Sequence, residues 1–235
     1  MFENTSFKEI CYFLPEDGES AKKDLLDLFD SPSLKEIYIK AYAFNMDAII
    51  EKIKNCDSKG ISVHILADFV QSRGHGSWDK IIDLHKTLKN GEILLTTAGC
   101  GSKSTGSIWH SKAMSFVFED KSPINFEGSC NVSDTGFLQG NTIRIFNSDV
   151  YSKNFIEHFD IHKEWTIKNA KSKQIDYLLN NPITAESYEL NEENEEIVYE
   201  LKHMKMELNH YRTISFILAI ITFFQWWLMI FFLQH

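Results

Sequence analysis

Residues 108–133, IWHSKAMSFVFEDKSPINFEGSCNVS, join a strand-like run to two short polar motifs. The first motif is H-x-K, with His110 and Lys112, and the second is G-S-x-N, with Ser129 and Asn131. Alternate side chains of an extended strand share one face, so His110 and Lys112 are predicted to project together. An imidazole beside an ammonium group can bind a phosphate and offer a nucleophile or a proton carrier next to it. The second motif can bring a hydroxyl and an amide to the same anion.

The first 175 residues alternate strand-like and helix-like segments. The strand-like runs are Glu9–Phe13, Glu36–Tyr42, Ser62–Ala67, Glu92–Thr96, Ile108–Phe118, Ile124–Glu127 and Thr142–Phe146. The amphipathic, helix-like stretches are Ala21–Phe29, Met46–Lys54, Trp78–Leu88 and Lys153–Trp165. Strands that alternate with helical stretches of about ten residues indicate an α/β sandwich with a mixed or mostly parallel sheet.

Composition narrows the class of protein without naming a substrate. The chain has 235 residues, 43% of them hydrophobic, and a formal net charge of −9. The overall charge therefore gives no indication of nucleic-acid binding. Its four cysteines are scattered without a C-x-x-C pair, which favours a reduced, cytosolic compartment. The N-terminal residues lack the basic and apolar regions of a cleaved signal peptide.

The C-terminal stretch Ile214–Leu233, ISFILAIITFFQWWLMIFFL, contains no charged residue. A membrane-spanning helix needs about 20 such residues. Basic residues precede the stretch at Lys202, Lys205 and Arg212, which places the body of the protein on the cytoplasmic side. We therefore predict a single-pass, C-terminal tail anchor.

The residues just before this stretch show heptad-like spacing. Steps of four and three residues connect Ile183, Ser187, Leu190, Asn194, Ile197, Leu201, Met204, Leu208 and Tyr211. A two-stranded coiled coil and a solvated acidic linker helix both fit this pattern. The predicted organisation is a catalytic domain at 1–175, an acidic linker and coiled coil at 176–212, and a transmembrane helix at 213–233.

The combination of H-x-K, a hydrophobic strand and G-S-x-N-x-S resembles the HKD motif of the phospholipase D-like superfamily, particularly its small single-motif nucleases. Two further stretches resemble other parts of that family's fold. Residues Ile37–Phe69 resemble its second strand, helix and third strand, and residues Thr142–Trp165 resemble its closing strand and helix. The resemblance covers about Glu9 to Trp165 and implies an α-β-α sandwich with a mixed sheet.

The resemblance also implies a phosphodiesterase mechanism that uses no metal or other cofactor. Two HKD motifs form one active site in that family, and this chain has a single motif, so a homodimer is implied. One copy of His110 would attack phosphorus and the other would protonate the leaving oxygen. The side chains of Lys112 and Asn131 would hold the phosphate oxygens, and Ser129 would support them by hydrogen bonding.

The chain departs from the family pattern at two acidic positions. The motif's Asp falls on Val117, and the Glu that orients the histidine in related nucleases falls near Gly140. Glu127 and Asp134 are candidate substitutes for these acids. Because a carboxylate partner fixes the tautomer of a catalytic histidine, a catalytically degenerate binding protein stays an alternative.

Phosphodiester chemistry alone does not decide the substrate. A helix over 184–211 would hold the domain roughly 40 Å from the bilayer, which favours DNA or RNA over lipid in the same membrane. We therefore expect a membrane-tethered endonuclease, with cardiolipin-type phospholipid hydrolysis as the alternative. Ser133, Arg73 and His75 are candidate substrate-binding residues.

Other polar residues are expected to be structural. Asp68 follows a strand and is expected to be a loop or helix-capping acid, and His64 lies within an apolar strand. His158 and His162 lie four residues apart on one helical face, a spacing that can hold a metal, but no further ligand completes a site. We expect them to be surface histidines.

Overall fold

The computed structural model describes residues 9–73, 77–97, 110–120, 122–133 and 135–180. The strands in these ranges are β1 (Glu9–Phe13), β2 (Leu34–Ala41), β3 (Ser62–Asp68), β4 (Gly91–Thr96), β5 (Lys112–Phe118), β6 (Pro123–Gly128) and β7 (Thr142–Asn147). The α-helices are α1 (Gly18–Phe29), α2 (Asp47–Ser58), α3 (Phe69–Arg73), α4 (Ser77–Thr87), α5 (Asp149–Asn169) and α6 (Ile175–Asn180). The 3-10 turns are Gly136–Leu138 and Lys171–Lys173.

The strands form one mixed sheet in the order β1-β7-β6-β5-β2-β3-β4. Strands β2, β3 and β4 are parallel, and the remaining neighbours pair antiparallel. The predicted α/β class with a mixed sheet is confirmed, and most predicted elements agree with the observed ones to within a few residues. Helix α5 is longer than predicted, because the Ser148 hydroxyl accepts a hydrogen bond from the backbone N–H of Tyr151 and starts the helix several residues earlier.

One face of the sheet packs against α1, α2 and α4. Its apolar residues form a continuous core with those helices: Leu25, Leu28, Phe29, Ile37, Ile39, Ile49, Ile53, Val63, Ile65, Ile81, Leu84, Met114 and Phe116. In the register between β2 and β5, Ile39 lies opposite Met114 and Ala41 lies opposite Lys112. Lys112 therefore projects from this same face, at its rim.

The opposite face packs against α5 and is more polar. Lys40, Ser115 and Thr96 project from it and bond to groups of α5, with the Ser115 and Thr96 hydroxyls pairing to those of Ser152 and Thr166. Burial of hydroxyls is tolerated here because each finds a hydrogen-bond partner.

The topology brings the chemistry-bearing segments to one edge of the sheet. The chain leaves β2, β3, β4 and β6 at this edge and enters β5 and β7 there, as the parallel and antiparallel pairings require. His110 precedes β5, and Ser129 and Asn131 follow β6. The two motifs identified in the sequence therefore meet at the same edge.

The described residues belong to a unit that ends at Asn180. Ile175, where the predicted catalytic domain ends, is 1% exposed and packs in the core at the start of α6. The predicted coiled coil and the predicted transmembrane helix lie outside the described residues. Among the helices that the structure describes, none is both long and apolar enough to cross a membrane.

Candidate active site

His110 and Lys112 lie side by side at the start of β5. The Lys112 Nζ atom is 2.8 Å from His110 Nε2. Lys112 is only 7% exposed, whereas His110 is exposed. An ammonium group donates hydrogen bonds and cannot accept them, so a protonated Lys112 directs a proton at Nε2 and leaves Nδ1 as the protonated ring nitrogen. The structure thus brings the two motif residues together at the exposed end of the strand.

Lys112 is buried and has no carboxylate partner among the described residues. Burial lowers the pKa of Lys112, and a charge on Cys130 would oppose this shift. The Cys130 thiol is itself fully buried, and burial raises its pKa to about 12, so it is protonated at neutral pH. Among the ion pairs of the described residues, none involves Lys112. A buried ammonium in this state favours an incoming anion.

Tyr42, which immediately follows β2, contacts both motif residues. Its ring packs edge-on against the His110 ring, with a centroid separation of 4.6 Å and an interplanar angle of 61°. Lys112 Nζ lies 4.9 Å from the Tyr42 ring centroid, within range of a cation–π interaction. Sequence reasoning missed this residue, because its contact depends on the pairing of β2 with β5.

The segment after β6 turns sharply, and glycines make the turn possible. A Cβ atom on Gly128 would lie 2.2 Å from the Thr142 carbonyl oxygen, and one on Gly136 would lie 2.3 Å from the Asn131 carbonyl oxygen. The Val132 carbonyl accepts hydrogen bonds from two backbone N–H groups in the segment after β2. Close backbone packing on both sides therefore fixes the position of Asn131.

The polar side chains of this turn play different parts. The buried side-chain oxygen of Asn131 has no hydrogen-bond partner within the described residues. This oxygen is an acceptor, so a phosphate oxygen would have to be bound by the side-chain NH₂ group instead. The Ser129 hydroxyl accepts a 3.0 Å hydrogen bond from the Thr142 N–H and holds the turn against β7. The Ser133 hydroxyl accepts a hydrogen bond from the backbone N–H of Gly136, the first residue of the following 3-10 turn.

The remaining predicted site residues are Glu127, Arg73, His75 and Asp134, and the structure describes the first two. Glu127 lies opposite Ala113, one residue out of phase with Lys112, so it projects from the α5 face of the sheet. There it accepts hydrogen bonds from the Arg144 guanidinium, and it is not placed to orient His110. Arg73 ends α3 with its guanidinium 5.4 Å from the Phe69 ring centroid. His75 and Asp134 lie outside the described residues.

The two positions that depart from the family pattern differ in geometry. Val117 is five residues beyond Lys112 in β5, so it faces the α5 side, and at about 3.3 Å per residue it lies roughly 17 Å along the strand. Gly140 lies between the 3-10 turn and β7, at the same edge as His110, and a Cβ atom there would meet nothing within 4 Å.

The structure corrects the expectation that His162 is a surface histidine. His162 is 8% exposed, and its Nε2 lies 3.1 Å from Nε2 of His158, which is exposed as expected. His158 Nδ1 in turn lies 2.8 Å from Nζ of the buried Lys40. Burial lowers the pKa of His162 to about 4 and that of Lys40 to about 7. In the described residues no group of three or more metal-ligating side chains is found.

Two of the residues expected to be structural are engaged as predicted. The Asp68 carboxylate accepts a hydrogen bond from the Gln71 N–H at 3.0 Å, which caps α3. His64 lies 3.0 Å from the Glu92 carboxylate and stacks on Tyr38. Both residues therefore have structural contacts of the kind expected.

Comparisons with solved structures agree with this fold. NucT from Helicobacter pylori matches with a TM-score of 0.57 at 22% identity, over 68% of this chain and 97% of that one. Nuc from Salmonella typhimurium, a phospholipase D family member, matches with a TM-score of 0.53 at 20% identity, over 66% of this chain and 93% of that one. Polyphosphate kinase from Porphyromonas gingivalis matches with a TM-score of 0.52 at 14% identity, over 67% of this chain and 26% of that one. At these identities the matches show a shared fold.

Sequence comparisons locate the family. No curated protein matches the chain. A family model described as "Cardiolipin synthase, PLD-like domain" matches residues 25–165, which is more than half of the chain. That range contains the H-x-K and G-S-x-N motifs and every strand except β1. The chain therefore belongs to the phospholipase D-like family.

Proposed function

We propose that the chain is a metal-independent phosphodiesterase, and specifically a membrane-tethered endonuclease that cleaves DNA or RNA through a phosphohistidine intermediate. The observation that carries the proposal is the 2.8 Å contact between Lys112 Nζ and His110 Nε2 at an exposed strand end. A nucleophilic nitrogen and a cation that can hold the phosphate under attack are thereby placed together. The Asn131 amide lies at the same edge of the sheet.

In the first step, His110 Nε2 attacks the phosphorus atom of a phosphodiester. The N–P bond forms as the bond from phosphorus to the leaving oxygen breaks. The Lys112 ammonium shifts its hydrogen bond from Nε2 to a non-bridging oxygen, and the Asn131 amide binds a second one. Preorganised donors of this kind stabilise the charge that develops in the transition state.

A second histidine completes the reaction, and we propose that a second copy of the chain supplies it. In the first step the imidazolium of that other His110 donates its proton to the leaving oxygen. In the second step the now neutral imidazole takes a proton from water, which attacks phosphorus and breaks the N–P bond. The products are one phosphate monoester and one hydroxyl end, and both histidines return to their starting protonation states.

The proposed tether is the apolar stretch Ile214–Leu233, preceded by the heptad-like residues 183–211. A membrane anchor would hold the domain on the cytoplasmic side, and a coiled coil would hold two copies together. The stalk would raise the domain roughly 40 Å from the bilayer. This geometry and the resemblance to single-motif nucleases favour nucleic acid as the substrate.

A second candidate is the hydrolysis of a cardiolipin-type phospholipid. The family model that matches residues 25–165 takes its description from cardiolipin synthase. The same histidine chemistry would cleave a lipid phosphodiester if the segment between the domain and the anchor bends toward the bilayer. A binding protein without turnover is the third reading.

The test uses the purified full chain, with EDTA present throughout, on single-stranded DNA, duplex DNA, RNA and anionic vesicles that contain cardiolipin. His110→Ala is the inactive variant, and His85→Ala, which changes a histidine on α4 paired with Asp176, is the matched control. We expect cleavage of nucleic acid by the wild type and by His85→Ala, and none by His110→Ala. Release of lipid headgroup without nucleic-acid cleavage would favour the phospholipid reading. Absence of turnover on every substrate would favour the binding protein.

The dimer is tested by mixing wild-type chains with an inactive variant. A mixed dimer of wild-type and His110→Ala chains has a single His110 in the shared site, so it lacks either the nucleophile or the general acid. Inactive His110→Ala added in excess to wild-type chains should therefore lower the activity per wild-type chain, as mixed dimers replace active ones. Activity that is unaffected by such an excess would contradict a shared active site.

A further inference from the structure

The Tyr42 ring touches both members of the motif pair. It lies edge-on to the His110 imidazole at 4.6 Å, and Lys112 Nζ lies 4.9 Å from its centroid. Tyr42 is half-buried. One side chain therefore contacts both the proposed nucleophile and the proposed phosphate-binding cation.

His110 needs a restraint, because no carboxylate among the described residues is in contact with it. Glu127 projects from the other face of the sheet and pairs with Arg144. Position 117 holds Val117, which also projects from that other face. Among the described residues, the contacts seen at the His110 ring are those with Lys112 and Tyr42.

The backbone around Tyr42 is fixed on both sides. Ala41 pairs with Lys112 across β2 and β5, and Phe44 forms a parallel bridge to Val132. The Asn45 N–H donates a 3.0 Å hydrogen bond to the Val132 carbonyl. The segment that carries Tyr42 is thus tied to both the strand of the H-x-K motif and the turn of the G-S-x-N motif.

We propose that Tyr42 is a positioning residue that orients the His110 imidazole through its aromatic ring, in the role that a carboxylate plays for other catalytic histidines. The proposal rests on the proposed function. A ring differs from a carboxylate in one useful respect. Cation–π attraction holds the Lys112 ammonium without neutralising it, so its full charge stays available to a phosphate.

The kinetic test compares Tyr42→Phe with Tyr42→Leu in the full chain, on single-stranded DNA. Tyr42→Phe keeps the ring and should keep kcat within about twofold, whereas Tyr42→Leu should lower kcat by about tenfold to 100-fold, with a smaller change in KM. Tyr177→Leu removes a tyrosine on α6 and is the control for a general loss of an aromatic side chain. Loss of activity in Tyr42→Phe to the level of Tyr42→Leu would overturn the proposal, because the hydroxyl would then carry the effect.

The spectroscopic test does not depend on turnover. Nitrogen NMR of the His110 ring should show one dominant tautomer, protonated at Nδ1, in the wild type and in Tyr42→Phe. In Tyr42→Leu both tautomers should be populated, because the contact between Nε2 and Lys112 is no longer enforced. An unchanged tautomer in a folded Tyr42→Leu overturns the proposal, even if the wild type cleaves no substrate. A chain without turnover whose tautomer does change would instead contradict the proposed function alone.

Discussion

Gly136 offers the sharpest structural test of the turn that carries Asn131. A Cβ atom on Gly136 would lie 2.3 Å from the Asn131 carbonyl oxygen and 3.1 Å from Cys130 Sγ. Ordinary van der Waals contact begins at 3.4 Å, so the backbone oxygen would have to move by about 1 Å in Gly136→Ala. Neither the carbonyl nor the buried thiol can swing aside as a flexible surface side chain would.

We expect this overpacking to cost about 1–3 kcal/mol of unfolding free energy. The effect on catalysis should be larger than that on stability, because a misplacement of about 1 Å in a catalytic group can cost on the order of 100-fold in rate. The Asn131 amide would move with its backbone and lose its alignment with the phosphate oxygen. The rate at saturating substrate should therefore fall by about 100-fold.

The assay measures chemical unfolding and single-stranded DNA cleavage for Gly136→Ala and for Gly140→Ala. Gly140 is the matched control, because it lies in the same connection between β6 and β7 and a Cβ atom there meets nothing within 4 Å. Gly140→Ala should match the wild type in both measurements. A Gly136→Ala variant as active and as stable as Gly140→Ala would refute the reasoning, since the turn would then be free to adjust.

Four further predictions concern single side chains. Lys112→Met should lower kcat by about 100- to 1,000-fold, measured by single-turnover cleavage. The control Lys35→Met, on the exposed part of β2, should not lower kcat. Equal rates for the two variants would exclude Lys112 from transition-state binding. The pKa of His162 is about 4 in the folded chain, whereas an ordinary histidine has a pKa of 6.5. Between pH 6.5 and pH 4 the unfolded chain therefore binds more protons than the folded chain. The unfolding free energy should fall by roughly 3 kcal/mol as the pH drops through this range. His162→Gln should flatten that part of the curve of unfolding free energy against pH, and parallel curves would contradict the assignment. Lys40→Met should raise the unfolding free energy at pH 7 by about 1–3 kcal/mol, because it removes a buried amine. Burial lowers the pKa of this amine to about 7. A loss of stability would show that the hydrogen bonds of Lys40 outweigh the cost of burying it. Val117→Asp should leave kcat unchanged within about twofold, because the side chain lies roughly 17 Å along β5 from Lys112, and a gain in kcat would contradict this geometry.

The parts of the fold that were predictable from the sequence are those set by local periodicity. Short strand-like runs located the strands, and the period of two placed His110 and Lys112 on one face. Gly128 marked the end of β6, because only a residue without a side chain fits against the Thr142 carbonyl. Such signals lie within a few residues of one another along the chain.

Contacts that depend on strand register were not predictable in the same way. Glu127 stands two residues before Ser129, but its pairing opposite Ala113 turns it to the other face of the sheet. Tyr42 reaches His110 from a different strand, and nothing in its local sequence distinguishes it from a core aromatic residue. Register between distant strands, which no local pattern specifies, decides both outcomes.

The burial of His162 illustrates an intermediate case. Polar residues at alternate positions of two strands, Lys40 in β2 and Ser115 in β5, indicated that one face of the sheet was not purely apolar. Helix α5 matches this face with its own polar stripe, including Ser152, His162 and Thr166. The polar residues of the strands and of α5 are visible in the sequence. They predict a buried His162 only once it is known that α5 covers those strands.

The missing motif Asp does not by itself favour an inactive protein. A carboxylate at position 117 would project toward α5 from the face opposite Lys112, far along β5 from the histidine, so its loss removes no direct partner of His110. At Gly140 a side chain would enter open space, so nothing in the surrounding packing depends on an acid there. His110 instead contacts Lys112 and Tyr42, and we propose that these contacts orient its ring. The proposed mechanism also needs a second histidine, and we propose that it comes from the same exposed edge of another copy of the chain.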